Sequence, residues 1–381
     1  MDKSFSLTRR QLTRMAAASA VAGVGLARAQ DSRVILGQSA AFSGPSAQLG
    51  TQFHAGAKLW FDQQNAKGGV AGRNVEIRNL DDGYEPDRCV ANTEKLIKDD
   101  AFALFGYIGT PTSLAALPLA TSAKMPFIAP FSGAMGLRDP FKREAFHLRA
   151  SYDDETELIV KQLTELAQNR IAVFYQNDAY GKAGLSGVTK ALTARQLKPT
   201  AEATVERNSV DVADAVGKLA KSGAQAIVQI GSYKACAAFI REAKKAGYGG
   251  KFYNVSFVGT QALADELGKD GAGVVVSQVM PSPYNPARPI AREFVAAAKS
   301  GKVQANFSSM EGYLAARVFI EGLRNAHAQS GGKPTREALV TALESIQEDF
   351  GGYRVTFGPQ DHVASNFVEL SMLTGDGKVR T

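Results

Sequence analysis

Short β-rich runs alternate with helical runs along most of this 381-residue chain, and that alternation restricts its fold more than any other feature. Val34-Ile35-Leu36-Gly37 has the apolar, β-branched character of a strand. Leu49, Phe53, Ala57 and Trp60 then recur at helical spacing up to Gly68-Gly69, which stops the helix. Val75-Glu76-Ile77 reads as the next strand, and Val90, Thr93 and Leu96-Ile97 mark the next helix. Residues 102–108 read as a buried strand, and a short helix over 113–123 leads into Phe127-Ile128-Ala129. A succession of βα units implies a parallel sheet covered by helices on both faces. The pattern then restarts. A helix is expected over 153–167, with Leu158, Ile159, Leu163 and Leu166 on one face. Strands are expected at 171–175, 201–205, 226–230, 251–257 and 274–279, with helices between them. Pro281, Pro283 and Pro286 interrupt the series, because proline fits neither a central strand nor a helix interior. Helices return over 287–300, 307–328 and 335–346, and two late strands are expected over 353–357 and 367–373. The chain is too long for one ordinary core, so the reading is α/β with two successive series. No linker rich in Ser or Gly divides them and no internal repeat is obvious, as expected for lobes joined by several strands of chain.

Ahead of the first strand, Thr8-Arg9-Arg10-Gln11-Leu12-Thr13-Arg14 is followed by an uncharged stretch from Met15 to Leu26 and by Ala27-Arg28-Ala29. A basic head, a short apolar run and an Ala-x-Ala end read as a cleaved signal peptide over residues 1–29, so the mature chain is expected in the periplasm. The run is too short to span a bilayer as a stable helix. The arginine pair points to the twin-arginine route, with an ordinary Sec signal as the alternative. Residues 1–29 hold five basic residues and one acid, so the net charge of +7 falls to about +3 without them. That balance, with no basic run interleaved with aromatics, gives nucleic-acid binding no support. Cys89 and Cys236 lie far apart and read as two buried free thiols, with a single disulfide as the alternative. His54, His147, His327 and His362 are scattered and read as surface or packing residues, so no metal site and no cofactor is expected.

Several turns after the strands are small and hydroxylic. Gln38-Ser39-Ala40-Ala41-Phe42-Ser43-Gly44-Pro45-Ser46 follows the first strand, Gly109-Thr110-Pro111-Thr112-Ser113 the third, and Pro130-Phe131-Ser132-Gly133 the fourth. In an open parallel sheet such turns meet at the carboxyl edge, where ligands bind. Helix N-termini and hydroxyls there suit an anionic group such as a carboxylate. Each turn alone is equally what N-caps and tight turns require; three at one edge favour a site. In the second series Tyr180, Tyr233 and Tyr284 occupy comparable loop positions and are expected to form the opposite wall of a cleft. Enzyme templates fare poorly: there is no Gly-x-Gly-x-x-Gly after the first strand, no P-loop and no Gly-x-Ser-x-Gly elbow. Asp81-Asp82-Gly83 reads as a solvated turn or cap rather than a cation site. The expected cleft is made of hydroxyls and aromatics, so the chain is not expected to be an enzyme.

These loops resemble those of the leucine/isoleucine/valine-binding family, the type I periplasmic solute-binding proteins of branched-chain amino acid ABC transporters. The stretches that carry the resemblance are 42–50, Asn65-Ala66-Lys67-Gly68-Gly69-Val70-Ala71-Gly72, Asp81-Asp82-Gly83 and Tyr180-Gly181, and it covers essentially all of 33–381. It implies two doubly wound Rossmann-like lobes joined by three hinge crossovers, near Arg149, Val279 and Gly352. One lobe would be 33–149 plus 280–351, the other 150–279 plus 352–381. It also implies a small-molecule ligand, delivery to a membrane permease, no catalysis and a monomer. By the same resemblance Thr110 binds a ligand carboxylate, Ser132 stands in for a threonine, Tyr180 and Tyr233 line the cleft, and Leu49 stands where relatives often have tyrosine. Ser39, Phe42, Ser113, Phe131 and Tyr284 complete the expected ligand-binding set. The departure is Phe257, which stands where relatives that hold an α-amino group place a glutamate. A desolvated ammonium needs a charge partner that a phenyl ring does not supply, and a cation–π contact of about 0.5–2 kcal/mol seldom replaces an ion pair. The expected ligand is therefore a carboxylate without an α-amino group: an aromatic, 2-oxo or similar small organic acid. The alternatives are a branched-chain or other amino acid, a protein feeding a sensor rather than a permease, an exported Rossmann-like enzyme, and a purely structural exported protein.

Overall fold

The computed structural model describes residues 33–381, and the expected signal peptide over 1–29 lies outside the described residues. The first sheet contains β1 (Arg33–Ala40), β2 (Asn74–Asp81), β3 (Ala103–Phe105), β4 (Phe127–Ile128) and β5 (Ala145–Phe146). All are parallel, in the order β2-β1-β3-β4-β5. Helices α1 (Ala47–Asn65), α2 (Pro86–Lys98) and α3 (Thr110–Ser122) connect successive strands. The chain then crosses to a second series: α4 (Tyr152–Glu165), β6 (Ile171–Gln176), α5 (Ala179–Thr193), β7 (Glu202–Val205), α6 (Ala213–Leu219), β8 (Ala226–Ile230), α7 (Tyr233–Lys245), β9 (Lys251–Asn254), α8 (Thr260–Leu267) and β10 (Val275–Gln278). Three helices follow, α9 (Pro289–Ser300), α10 (Phe307–Ser330) and α11 (Arg336–Glu344), then a hairpin of β11 (Gln347–Asp349) and β12 (Arg354–Thr356). The last strands, β13 (Glu369–Leu373) and β14 (Val379–Arg380), add antiparallel to β10, giving the order β14-β13-β10-β9-β8-β6-β7. Because helices cover both faces of these sheets, interior strands read as unbroken apolar runs. Ile171-Ala172-Val173-Phe174 and the whole of β8 are buried.

Helix α10 is distant from α1 in sequence but lies against it with backbones almost touching. A Cβ at Gly56 would sit 1.8 Å from the Ser309 carbonyl oxygen, and one at Gly312 would sit 2.0 Å from that of Phe53. Only glycine fits on each side of this crossing, which holds α10 with the first sheet. The chain thus passes between the sheets three times: from β5 to α4, from β10 to α9, and before β13.

The last crossing lies later than the Gly352 expected from sequence. His147 donates its N–H to the His362 carbonyl (2.8 Å) and accepts from the Ala364 N–H (2.8 Å), so the chain beyond β12 pairs beside β5. The edge of the short β5 needs backbone partners, and residues 362–364 supply them. His362 also stacks on Phe146 at 3.8 Å. The strand expected over 251–257 ends at Asn254 and gives way to one helical turn, Ser256–Val258. There the Ser256 N–H turns away from the ladder to a buried carboxylate oxygen of Glu155, 2.7 Å away. The two-residue strands β5 and β14 are too short to show any period in the sequence.

Topology fixes where a site can lie. In the first sheet the chain leaves β1 toward β2 and returns to β3; in the second it leaves β6 toward β7 and returns to β8. The loops that diverge at each switch point open a crevice at the carboxyl ends of the strands. At that edge lie Ser39 at the end of β1 and Phe42 in the loop after it, Thr110 and Ser113 on the first turn of the helix after β3, and Tyr180 and Tyr233 on the first turns of the helices after β6 and β8.

Candidate functional site

Phe257 is the hub of the site. Its ring lies 4.5 Å from that of Tyr180, 5.8 Å from Tyr84 and 5.8 Å from Phe131. Tyr152 joins through Tyr180 at 5.4 Å. Tyr84 and Phe131 come from loops of the first sheet, whereas Tyr152, Tyr180 and Phe257 belong to elements of the second, so the rings bridge the two. Local chemistry sets each one. The Asp178 carboxylate caps α5, accepting from the N–H of Tyr180 at 2.9 Å and of Gly181 at 3.4 Å, which presents Tyr180 on the first turn. Ser151 and Asp154 form a capping box that starts α4 at Tyr152. Gly109 has φ +99, and the Tyr84 ring occupies the space where a Cβ would stand, 2.1 Å away. Burial raises the pKa of the Tyr84 and Tyr180 phenols well above the ordinary range, so both are neutral.

A hydroxyl group lies beside the rings. Thr110 Oγ1 and Ser132 Oγ are 2.7 Å apart, and Thr110 Oγ1 is 3.5 Å from the Tyr152 phenol. Thr110 opens α3, whose N-terminal turn also carries Ser113, a buried hydroxyl with no hydrogen-bond partner. Pro111 has no N–H and the Ser113 N–H bonds to the Gly109 carbonyl, so the N–H groups of Thr110 and Thr112, together with the hydroxyls, are what this helix start offers an anionic oxygen. The Arg138 guanidinium braces this ledge from behind. It donates to the carbonyls of Ser132 (3.3 Å), Ala134 (2.9 Å), Arg149 (3.0 Å) and Ala150 (3.4 Å), tying the loop after β4 to the first crossover. Burial, with the like charge of Arg149, lowers its pKa to about 10.

The expectation of a cleft free of titratable groups is corrected by a buried charge cluster beside Phe131 and Phe257. The Arg149 guanidinium lies 3.9 Å over the Phe131 ring. It donates to both Glu311 oxygens, from Nε at 2.8 Å and Nη2 at 2.7 Å, and from Nη1 to Ser256 Oγ at 3.2 Å. Burial works against its charge, but Glu311 overrides it and holds the Arg149 pKa above its ordinary value. Glu155 Oε2 accepts from the Ser256 N–H (2.7 Å) and Ser277 Oγ (2.5 Å), and Oε1 from Ser256 Oγ (3.0 Å). Burial raises its pKa, against the pull of Arg149 and these hydrogen bonds. Every charge in the cluster therefore has a protein partner. A cavity of about 10 Å³, lined by Arg149, Ser256, Thr260, Gln278, Ser308 and Glu311 among others, adjoins it.

The structure brings together Thr110, Phe131, Ser132, Tyr180 and Phe257, with Ser113 on the same helix turn. Other expected residues stand apart. Ser39 donates to Asp82 at 2.7 Å and is packed inside the first lobe. Phe42 is half-buried, edge-on to His54 at 5.6 Å. Tyr233 touches the opposite lobe through its phenol oxygen, which accepts from the Gln48 N–H at 3.5 Å. Tyr284 does not join the rings: it is 40% exposed, donates to Gln261 at 3.2 Å and packs on Phe307 at the proline-rich crossover. Sequence reasoning missed Tyr84, Tyr152, Arg149, Glu155 and Glu311. Glu311 left a signal, since it falls on the apolar face of α10 with Phe307 and Leu314–Ala315; Glu155, in an acidic run with Asp153 and Asp154, left none. Cys89 and Cys236 are both buried and unpaired.

Residues 34–378 match the periplasmic binding protein family, and the chain belongs to that family. Among solved structures, a possible leucine/isoleucine/valine-binding protein from Rhodopirellula baltica SH 1 superposes with a TM-score of 0.87 at 32% identity, covering 92% of this chain and 96% of that one. Leu/Ile/Val-binding protein homolog 7 of Brucella melitensis biotype 1 is 23% identical over 394 residues, 98% of this chain and 96% of its own length. An ABC transporter solute-binding protein from R. palustris, solved in complex with benzoate, has a TM-score of 0.81 at 19% identity, covering 91% of this chain and 95% of its own; the likeness is one of fold. The chain is thus a periplasmic solute-binding protein of the ABC-transporter type on the type I periplasmic binding fold.

Proposed function

We propose that this chain captures a small organic acid lacking an α-amino group, of aromatic or 2-oxo type, between its lobes and hands it to an ABC-transporter permease. One observation carries the reading: Phe257, not a carboxylate, is the hub of the ring cluster facing the Thr110–Ser132 hydroxyls. The hydroxyls and the start of α3 suit the carboxylate, and Phe131, Tyr180 and Phe257 suit a flat apolar body. The nearby carboxylates are committed, Glu311 to Arg149 and Glu155 to Ser256 and Ser277, so neither is free for an ammonium. The benzoate complex of the R. palustris relative supports an aromatic acid. The name of the Brucella relative supports the second reading, a branched-chain amino acid. A thermal-shift screen separates them. Benzoate, phenylpyruvate or 2-oxoisocaproate is expected to raise the melting temperature by several degrees and leucine or valine by none. Strong stabilisation by leucine or valine with none by the acids would overturn the proposal.

The lobes we assign are 33–149 with 280–364, and 150–279 with 369–381, hinged at the three crossings. The protein acts as a monomer, and the motif Arg9-Arg10 with Ala27-Arg28-Ala29 supports twin-arginine export and cleavage after Ala29. Mass spectrometry of protein recovered from the periplasm is expected to find Gln30 as its first residue; recovery of a chain that still carries Arg9-Arg10 would argue against cleavage.

A further inference from the structure

At the edge of the interface, away from the ring cluster, two loops from opposite lobes grip each other. Glu85 ends the Asp81–Asp82 turn and precedes α2 in the first lobe. Arg207 and Asn208 follow β7 in the second. Arg207 Nη2 donates to Glu85 Oε2 at 2.9 Å, and Asn208 Nδ2 to Glu85 Oε1 at 2.7 Å and to the Gly83 carbonyl at 3.0 Å. Both Glu85 oxygens are thus held by the opposite lobe. Asn208 has φ +59, a left-handed conformation that asparagine tolerates better than most residues, and it still presents its amide.

The grip continues inward. Arg207 Nη1 lies 3.5 Å from Asp178 Oδ2, and Gln176 Nε2 donates to that oxygen at 2.6 Å and approaches the Tyr84 phenol at 3.5 Å. Asp178 is the cap that places Tyr180. Two tyrosines of the site, one from each lobe, are therefore linked by hydrogen bonds to the pair at the edge.

We propose that Glu85, Arg207 and Asn208 form an interlobe clasp that sets the balance between open and closed protein, and through it ligand affinity, without touching the ligand. These are positioning residues. The inference rests on the reading of two hinged lobes but not on the ligand class. Every clasp bond joins residues that separate when the lobes part, so the clasp stabilises the closed form alone. A ligand that binds only the closed form has its apparent affinity scaled by the closed fraction. The side chains of Arg207 and Glu85 are 27% and 41% exposed, so their attraction is screened by salt.

The test needs no ligand. Spin labels at Glu94→Cys on α2 and Lys218→Cys on α6, both exposed, report the interlobe distance by pulsed electron resonance, while the native thiols are buried. Arg207→Ala and the milder Glu85→Gln are each expected to raise the open-to-closed ratio about twofold to tenfold. About 1 M salt, where the screening length is about 3 Å, is expected to shift the unsubstituted protein the same way. Glu85→Gln keeps the side-chain size and an oxygen for Asn208, so folding is preserved and circular dichroism confirms it. Distance distributions that superimpose for the unsubstituted protein and both variants would overturn the clasp. A failed organic-acid screen with a persisting distance shift would sink the ligand class and leave the clasp standing; the reverse pattern would do the opposite.

Discussion

Replacing Arg149 with methionine is expected to cost about 3–5 kcal/mol of folding stability, read as lost unfolding free energy in urea at neutral pH. The guanidinium and the Glu311 carboxylate have side-chain exposures of only 1% and 3%. Both charges left water on folding, and each is tolerated because the other meets it in a two-pronged hydrogen bond. Methionine fills much of the arginine volume over Phe131 but supplies no donor, so Glu311 is left buried and uncompensated. The double variant Arg149→Met with Glu311→Leu is expected to recover most of the loss, because two apolar side chains of similar bulk remove the desolvation penalty with the attraction. A double variant as unstable as the single one would mean that Arg149 acts through Ser256 and the Phe131 ring rather than through Glu311. Position makes the pair more than a core contact. Arg149 sits on the first crossover, Glu311 on α10 beside the first sheet, and Ser256 in the second lobe. The cluster therefore joins the first crossover to elements of both lobes.

How much of this was legible in sequence follows from what period and turn chemistry can report. The two α/β series were legible because buried parallel strands such as 171–174 and amphipathic helices write their burial into residue order. The grouping of Thr110, Phe131, Ser132, Tyr180 and Phe257 was legible because each sits in a turn or at a helix start just after a strand, a position that decides where it points. Partners across the chain were not legible. Nothing local tells that Glu155 is buried against Ser256 and Ser277 while its neighbour Asp153 pairs with Lys190 at the surface. Tyr284 shows the converse: its loop position after β10 matched that of the other tyrosines, but the three prolines around it carry it to the hinge. The third crossing was misplaced because the pairing of 362–364 with His147 depends on an edge strand too short to read.

Substituting Asp82 with asparagine is expected to stabilise the protein at neutral pH and to remove part of its pH dependence. Burial raises the Asp82 pKa from 3.8 to about 6, against hydrogen bonds from Ser39 and the Tyr84 N–H and with the adjacent Asp81 adding to the rise. Asp81 behaves oppositely: although partial burial resists it, hydrogen bonds from Ser43, Phe42 and Gly83 with nearby Arg88 bring it down to about 2. The sign for Asp82 follows from proton binding. Between pH 3.8 and about 6 the folded protein keeps a proton that the unfolded chain has released, so this group's contribution falls as pH rises through that window. The loss amounts to roughly 2–3 kcal/mol by neutral pH, fully removed only below the unfolded value. Asparagine cannot ionise. Its amide oxygen can accept from the Tyr84 N–H as Asp82 Oδ1 does at 2.8 Å, and its NH2 can donate to Ser39 Oγ, now 2.7 Å from Oδ2. The stability difference between variant and parent is expected to be small near pH 4 and to grow until about pH 7, measured by urea unfolding across that range. A difference that stays flat would show that Asp82 ionises in the fold without cost. The loop it anchors carries Tyr84 into the ring cluster and Glu85 into the interlobe contact. A buried acid that weakens this loop as it ionises therefore ties the stability of the first lobe to the ring cluster and to the proposed clasp.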